Sequence, residues 1–375
     1  MGYLRTASLL LVSLVSLCLV GFGPPAIAGT DASSSRVTAS QLDEARGTVP
    51  AIKASAAAVV DGDTGALVWG KNAHDALPPA SMTKMMTALV TLQHGDLTRV
   101  VTSGEDASTM LDDSVMGLHI GEQLSLRDLL FGLLIPSGDD AALVIAQAVG
   151  GSQANFVSLM NAEGNTLGLT DTHFVNPHGL DAPGHLSSPY DEIVIARAAM
   201  QYPLFREIVD TKHIVIHGKW VYDLTNTNQL LGKRKGVIGI KTGTTDLALH
   251  AITVAEEING HLLYVTVMHT PDYVPDETAL LDYFEAHDSW VTLSLPDGPL
   301  YTGAGYSLAA PAPTRYLPNW QATDLTTRVN LTPDAPLRAT DNPDLPPQND
   351  GTITYSAAGQ PIARLPLQKG SRAAP

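Results

Sequence analysis

The predicted elements of this 375-residue chain run hairpin, helices, hairpin. That order predicts a mixed α/β fold of the α+β type, with an antiparallel sheet assembled from both chain ends and helices packed on it. Three observations carry the expectation. Residues 54–60 and 66–69 are β-rich runs joined by a D-G-D-T-G turn. Residues 79–150 change to helical periodicity. Residues 250–258 and 261–269 flank Asn259-Gly260, and Asn-Gly signals a tight hairpin because both turn positions need positive φ.

After Pro79, Met82, Met85, Met86, Leu89 and Val90 recur at three- and four-residue spacing until Gly95, which predicts a first helix. Ser125 is a good N-cap for a second, through Leu129, Leu130 and Leu133 to the breaker Pro136. Asp139 or Asp140 opens a third, AALVIAQAV, closed by Gly150-Gly151. It is apolar on every side and is therefore expected inside the core. Residues 237–241 predict a strand. Beyond about residue 295 Pro, Asp and Thr become frequent. The expected organisation is a main domain over 48–292, a small β-rich domain over 293–369 and a disordered tail over 370–375.

Hydrophobic content of 44% and charged content of 16% fit a folded domain, and a net charge of −16 argues against nucleic acid, which needs clustered cations. Residues 1–28 carry a targeting pattern. Arg5 precedes an apolar run over 9–20, Pro24-Pro25 break it, and Ala26-Ile27-Ala28 offers a small-x-small cleavage site. The reading is an extracytoplasmic protein, secreted or held at the cell envelope; an uncleaved anchor is the alternative. A polar lead-in follows over 29–47. The only cysteine, Cys18, lies in the apolar run, so cleavage would leave no disulfide and no thiol chemistry.

The chemistry concentrates in three short motifs: Ser81-x-x-Lys84, Ser137-Gly-Asp139 and Lys241-Thr242-Gly243. A serine hydroxyl needs a base to take its proton. At a spacing of three on a helix, Lys84 shares a face with Ser81 and can reach its oxygen. Ser137, between a helix-ending proline and the next N-terminus, is placed to relay a proton. Lys241 and the hydroxyls beside it on a strand edge can hold a carboxylate, and Gly243 admits a substrate backbone. Singly, each motif has a bland reading: an N-cap serine, a helix-flanking serine, a solvated strand end. Their order and separation favour the chemical one.

With these motifs, the segments LPPASMTKMMTALV, SGDDAALVIAQ, LGLTDTHFVNPHGLD, HLSSPYDEI, NTNQLL and GIKTGTT make the chain resemble the D-alanyl-D-alanine carboxypeptidases over roughly residues 50–290. These are the low-molecular-mass penicillin-binding proteins of the S11 serine peptidase family. The resemblance implies a β-lactamase/transpeptidase-like domain that removes the terminal D-alanine of peptidoglycan stem peptides. It also implies β-lactam antibiotics as covalent inhibitors and no metal or cofactor, and it allows peripheral membrane association. Ser81 would be the nucleophile, Lys84 its base and Ser137 the proton relay. Lys241, Thr242 and Thr244 would bind the terminal carboxylate, with Asp139 on the substrate side. The amides of Ser81 and Thr244 would form the oxyanion hole.

Three positions depart from that pattern. Asp139 stands where the family has asparagine, and an ionised carboxylate cannot donate the hydrogen bond an amide gives. Residues 270–281 hold no arginine where the family places one, and Ala248-Leu249-His250 replaces Ala-Gly. A D,D-endopeptidase acting on cross-links, or a weakly catalytic wall-binding protein of the same fold, stay open. A class A β-lactamase fits less well, because Glu163 lies in a run that matches the peptidases.

Overall fold

The computed structural model describes residues 48–105, 109–110, 114–295, 306–331, 351–357 and 359–369. The expected signal segment, lead-in and tail lie outside the described residues. The frame is a five-stranded antiparallel sheet. Its order is β2 (Leu67–Lys71), β1 (Ala56–Asp61), β9 (His261–Thr270), β8 (Leu249–Ile258), β7 (Val237–Thr245). Both predicted hairpins form, β1–β2 across the D-G-D-T-G turn and β8–β9 across Asn259 and Gly260, each with positive φ. The chain ends meet where β1 pairs β9, Ala58 opposite Thr266.

Strand residues alternate between the two faces, so the sheet separates two cores. Ala58, Val60, Ala251, Ala255 and Met268 face a helical layer. That layer holds α1 (Lys84–His94), α2 (Leu126–Leu134), α3 (Asp139–Gly150), α4 (Gln153–Leu167), α5 (Pro189–Ala199) and α6 (Pro203–Asp210). Ala57, Val59, Ile252, Val254, Val265 and Val267 face α7 (Tyr273–His287) through Leu280, Leu281 and Phe284. Each such buried side chain contributes roughly 1.5–3 kcal/mol relative to exposure. Asp276 ties α7 to the sheet, its carboxylate accepting from the Lys53 and Ala54 amides at 2.9 and 2.7 Å and from Thr270 Oγ1 at 2.7 Å.

The helix boundaries have local causes. Ser125 caps α2, its Oγ accepting from the Asp128 amide at 3.1 Å. Gly151 stops α3 in the left-handed region, at φ 71°. The first predicted helix begins as a 3-10 turn, Ala80–Thr83, before becoming α1 at Lys84. Small elements edge the helical layer: β3 (Val100–Thr102) pairs β4 (Gln123–Ser125), and β5 (His213–His217) pairs β6 (Val221–Thr225). Toward the C-terminus β10 (Asp288–Thr292) pairs β12 (Thr314–Pro318). A four-stranded sheet follows in the order β11 (Tyr306–Leu308), β15 (Gln360–Lys369), β14 (Gly351–Ala357), β13 (Thr326–Leu331). Trp290 Nε1 donates to Asp61 at 2.9 Å and Tyr316 donates to the Phe284 carbonyl at 2.7 Å, fastening β10 and β12 to the first sheet and α7.

One buried acid sets a pH limit on this packing. Glu192, in the first turn of α5, has its carboxyl pushed up to about 8, chiefly by burial; the Ser187 hydroxyl opposes this and the Asp191 charge adds to it. The folded chain therefore holds a proton that the unfolded chain releases near 4.5. The stability this lends is full below 4.5 and is lost as pH rises through about 8. Glu192→Gln, which copies the protonated form, should flatten the fall in melting temperature between about pH 5 and pH 9 in thermal melts.

Candidate active site

Ser81 sits on a turn that its surroundings hold in a strained shape. Ala80 has φ 48° and Ser137, across the site, φ 71°, costing about 1–3 kcal/mol each. Met82, Met85 and Met86 beneath the turn are fully buried. Two glycines press on it from above. A Cβ on Gly243 of β7 would lie 2.8 Å from the Pro79 carbonyl oxygen, and one on Gly179 would lie 1.9 Å from that of Ala80. Gly179 also has φ 99°. Asn176 shapes this second approach: its Oδ1 accepts from the Gly179 amide at 2.7 Å and its Nδ2 donates to the Leu180 carbonyl at 2.8 Å. The N-P-H-G run of residues 176–179 is thus part of the site. In the sequence alone this run marks only a resemblance.

Lys84 is fully buried below Ser81. Its Nζ donates to Ser81 Oγ at 2.7 Å and to the His178 carbonyl at 2.7 Å, and lies 2.5 Å from Asp139 Oδ1. Asp139, expected on the substrate side, lies buried against this lysine. The next residue, Asp140, has a structural task. Its carboxylate accepts from the amides of Met116, Gly117 and Leu118, each at 2.9 Å, and so straps residues 116–118 to α3.

Lys241 comes in from β7, also buried, donating to Ser137 Oγ and to the Thr242 carbonyl, both at 2.9 Å. Burial holds its amine well below the usual lysine range; the Lys84 charge adds to this and Asp139 opposes it. His178 is pushed down to about 3, first by burial and then by Lys84. His185 falls to about 4, first by burial. The Val175 amide donates to His185 Nδ1 at 3.0 Å, so the proton rests on Nε2, which donates to Thr83 Oγ1 at 2.7 Å. Both imidazoles are neutral near pH 7.

These groups surround a cavity of about 570 Å³ lined by Ser81, Ser114, Ser137, Thr227, Gln229, Thr242, Gly243, Thr244, His250 and residues 271–274. Lys84, Asp139 and Lys241 stand behind that lining. Thr242 and Thr227 share a 2.6 Å hydroxyl contact, and Thr244 Oγ1 lies 2.9 Å from His250 Nδ1. Every residue singled out in the three motifs therefore comes to one place. A hydroxyl with an amine in hydrogen-bond reach, facing a cavity, is the arrangement of nucleophilic catalysis.

The sequence model of the S11 peptidases, D-alanyl-D-alanine carboxypeptidase, matches residues 43–272, more than half of the chain. The chain belongs to this family. It is 32% identical over 267 residues to the D-alanyl-D-alanine carboxypeptidase DacF of Bacillus subtilis, covering 69% of this chain and 65% of that protein. To DacC of Escherichia coli it is 32% identical over 348 residues, covering 85% and 84%. Among solved structures, penicillin binding protein 5 of Haemophilus influenzae superposes with a TM-score of 0.70 at 28% identity, covering 86% of this chain and 98% of that one. The α+β fold expected from the sequence is the fold of this family.

Two substitutions probe the site. Gly179→Ala puts a methyl into the Ala80 backbone at positive φ, so penicillin labelling of the protein should slow at least tenfold, with a loss of about 1–3 kcal/mol in denaturant unfolding. Asp139→Asn removes the negative charge beside Lys84, which should lower the pH at which the amine is free. The acidic limb of the acylation rate against pH should then move to lower pH.

Proposed function

We propose that the protein is a serine-type D-alanyl-D-alanine carboxypeptidase that hydrolyses the terminal D-alanine of peptidoglycan stem peptides. The observation that carries this is the 2.7 Å contact between Lys84 Nζ and Ser81 Oγ at the floor of the cavity. As Ser81 Oγ attacks the carbonyl between the two D-alanines, Lys84 accepts its proton. For this Lys84 must be in its neutral form, which burial favours and the Asp139 carboxylate beside it opposes. The tetrahedral oxyanion receives the amides of Ser81 and Thr244, donors aimed at charge that exists only in the transition state. Ser137, hydrogen-bonded to Lys241, hands its proton to the departing amine and regains the one that Lys84 took from Ser81, and D-alanine leaves. Thr242 and Thr244 hold its carboxylate, with Lys241 behind them. Water then attacks the acyl-enzyme carbonyl, yields the shortened stem and restores the Ser81 hydroxyl.

The same chemistry makes β-lactams covalent inhibitors, since opening of the ring acylates the same oxygen. The substrate places the enzyme outside the cytoplasm, in keeping with the targeting pattern of residues 1–28. Residues 48–292 would act as the peptidase domain and residues 293–369 as a β-rich appendage. Peripheral membrane association fits this location, and the net charge of −16 fits the absence of a nucleic-acid partner.

A fluorescent penicillin should label the protein covalently, and Ser81→Ala should abolish the label. Mass spectrometry of products from purified muropeptides should find free D-alanine. Split dimers would point to the endopeptidase, and absence of both label and product on folded protein would leave a wall-binding role.

A further inference from the structure

The cavity wall beside Thr244 presents an imidazole and no strong cation. Among the described residues that line the cavity there is neither lysine nor arginine, and Lys241 is buried behind them. His250 stands on β8 directly across from Thr244 on β7, with Nδ1 2.9 Å from Thr244 Oγ1. The turn between the strands holds this pair in register. Asp181 accepts from Thr245 Oγ1 at 2.7 Å and from the Leu247 amide at 3.1 Å, and the Ala248 amide donates to Thr245 Oγ1 at 3.1 Å. Leu249 completes the turn at φ 54°. Non-glycine side chains rarely take that conformation, and here it delivers His250 to the cavity.

The threonine hydroxyl has one proton to give. If Nδ1 accepted it, Thr244 would offer an incoming carboxylate only lone pairs, and the two would repel. If Nδ1 carries hydrogen and donates, the hydroxyl proton is free to point into the cavity. Which nitrogen holds the proton follows from the partners the imidazole meets. Resting on the carboxypeptidase reading above, we infer that His250 is a positioning residue for substrate specificity. Its Nδ1–H turns the Thr244 hydroxyl toward the terminal carboxylate, so that selection of a free acid rests on this pair in a cavity lined without arginine.

The test is steady-state kinetics of the full chain on a peptide ending in D-Ala-D-Ala with a free carboxylate and on the same peptide with a terminal amide. A hydrogen bond to a charged group is lost only with the acid, so His250→Leu should raise its KM about tenfold while kcat holds. KM for the amide, whose carbonyl oxygen accepts the same hydrogen bond without the charge, should rise much less. His250→Asn, whose side-chain NH2 can stand in for Nδ1–H, should bring the acid KM back toward wild type. Equal losses on both peptides, an unchanged acid KM in His250→Leu, or no rescue in a folded His250→Asn would overturn the inference. Wild-type protein that releases no D-alanine from either peptide would overturn the carboxypeptidase reading itself, and this inference with it.

Discussion

Two lysines buried within one site, with the Asp139 carboxylate beside them, are the constraint around which the rest is arranged. Lys84 meets Asp139 and Ser81, and Lys241 meets Ser137. Placing charge in the protein interior is costly unless it is paired and hydrogen-bonded. Each amine accordingly finds oxygen partners at 2.5–2.9 Å, and burial drives Lys241 toward its neutral form. The same cost that makes these groups hard to bury makes them chemically useful, because an amine that has lost its proton is a base.

The sheet and its neighbours exist, from the viewpoint of the site, to hold that arrangement rigid. β7 carries Lys241, Thr242 and Thr244 along one edge, while α1 carries Lys84 and α3 carries Asp139. Gly243 and the residue 176–180 loop close over the Ser81 turn so tightly that a methyl group has no room at Gly179. Strained backbone at Ala80 and Ser137 is tolerated because buried packing and the Asp140 hydrogen bonds surround it. Strain of this kind gathers at functional sites, where neighbouring structure over-determines the conformation.

Where the chain departs from its family, the structure gives the departures partners. The Asp139 carboxylate, unable to donate as an amide would, lies against Lys84. Among the described residues lining the cavity there is Asp272 and no arginine, and His250 meets Thr244 there. The Ser81–Lys84 contact follows the pattern of the three motifs; the departures lie in the charge beside that lysine and in the groups that line the cavity.

Much of this was legible in the chain alone because its causes are local. A three-residue spacing puts Ser81 and Lys84 together, Asn259-Gly260 forces a hairpin, and Ser125 and Gly151 end helices by their own hydrogen bonding and φ. The sequence by itself thus determined the α+β frame and the meeting of Ser81 with Lys84. Only the tertiary structure decided that Asp139 turns to Lys84, that Lys241 reaches Ser137 from 104 residues away, and that Gly179 presses on Ala80. It also decided that His250 faces Thr244. Those contacts depend on which strand edge, loop and helix end the packing of two cores brings to one cavity, and neither periodicity nor spacing records that choice.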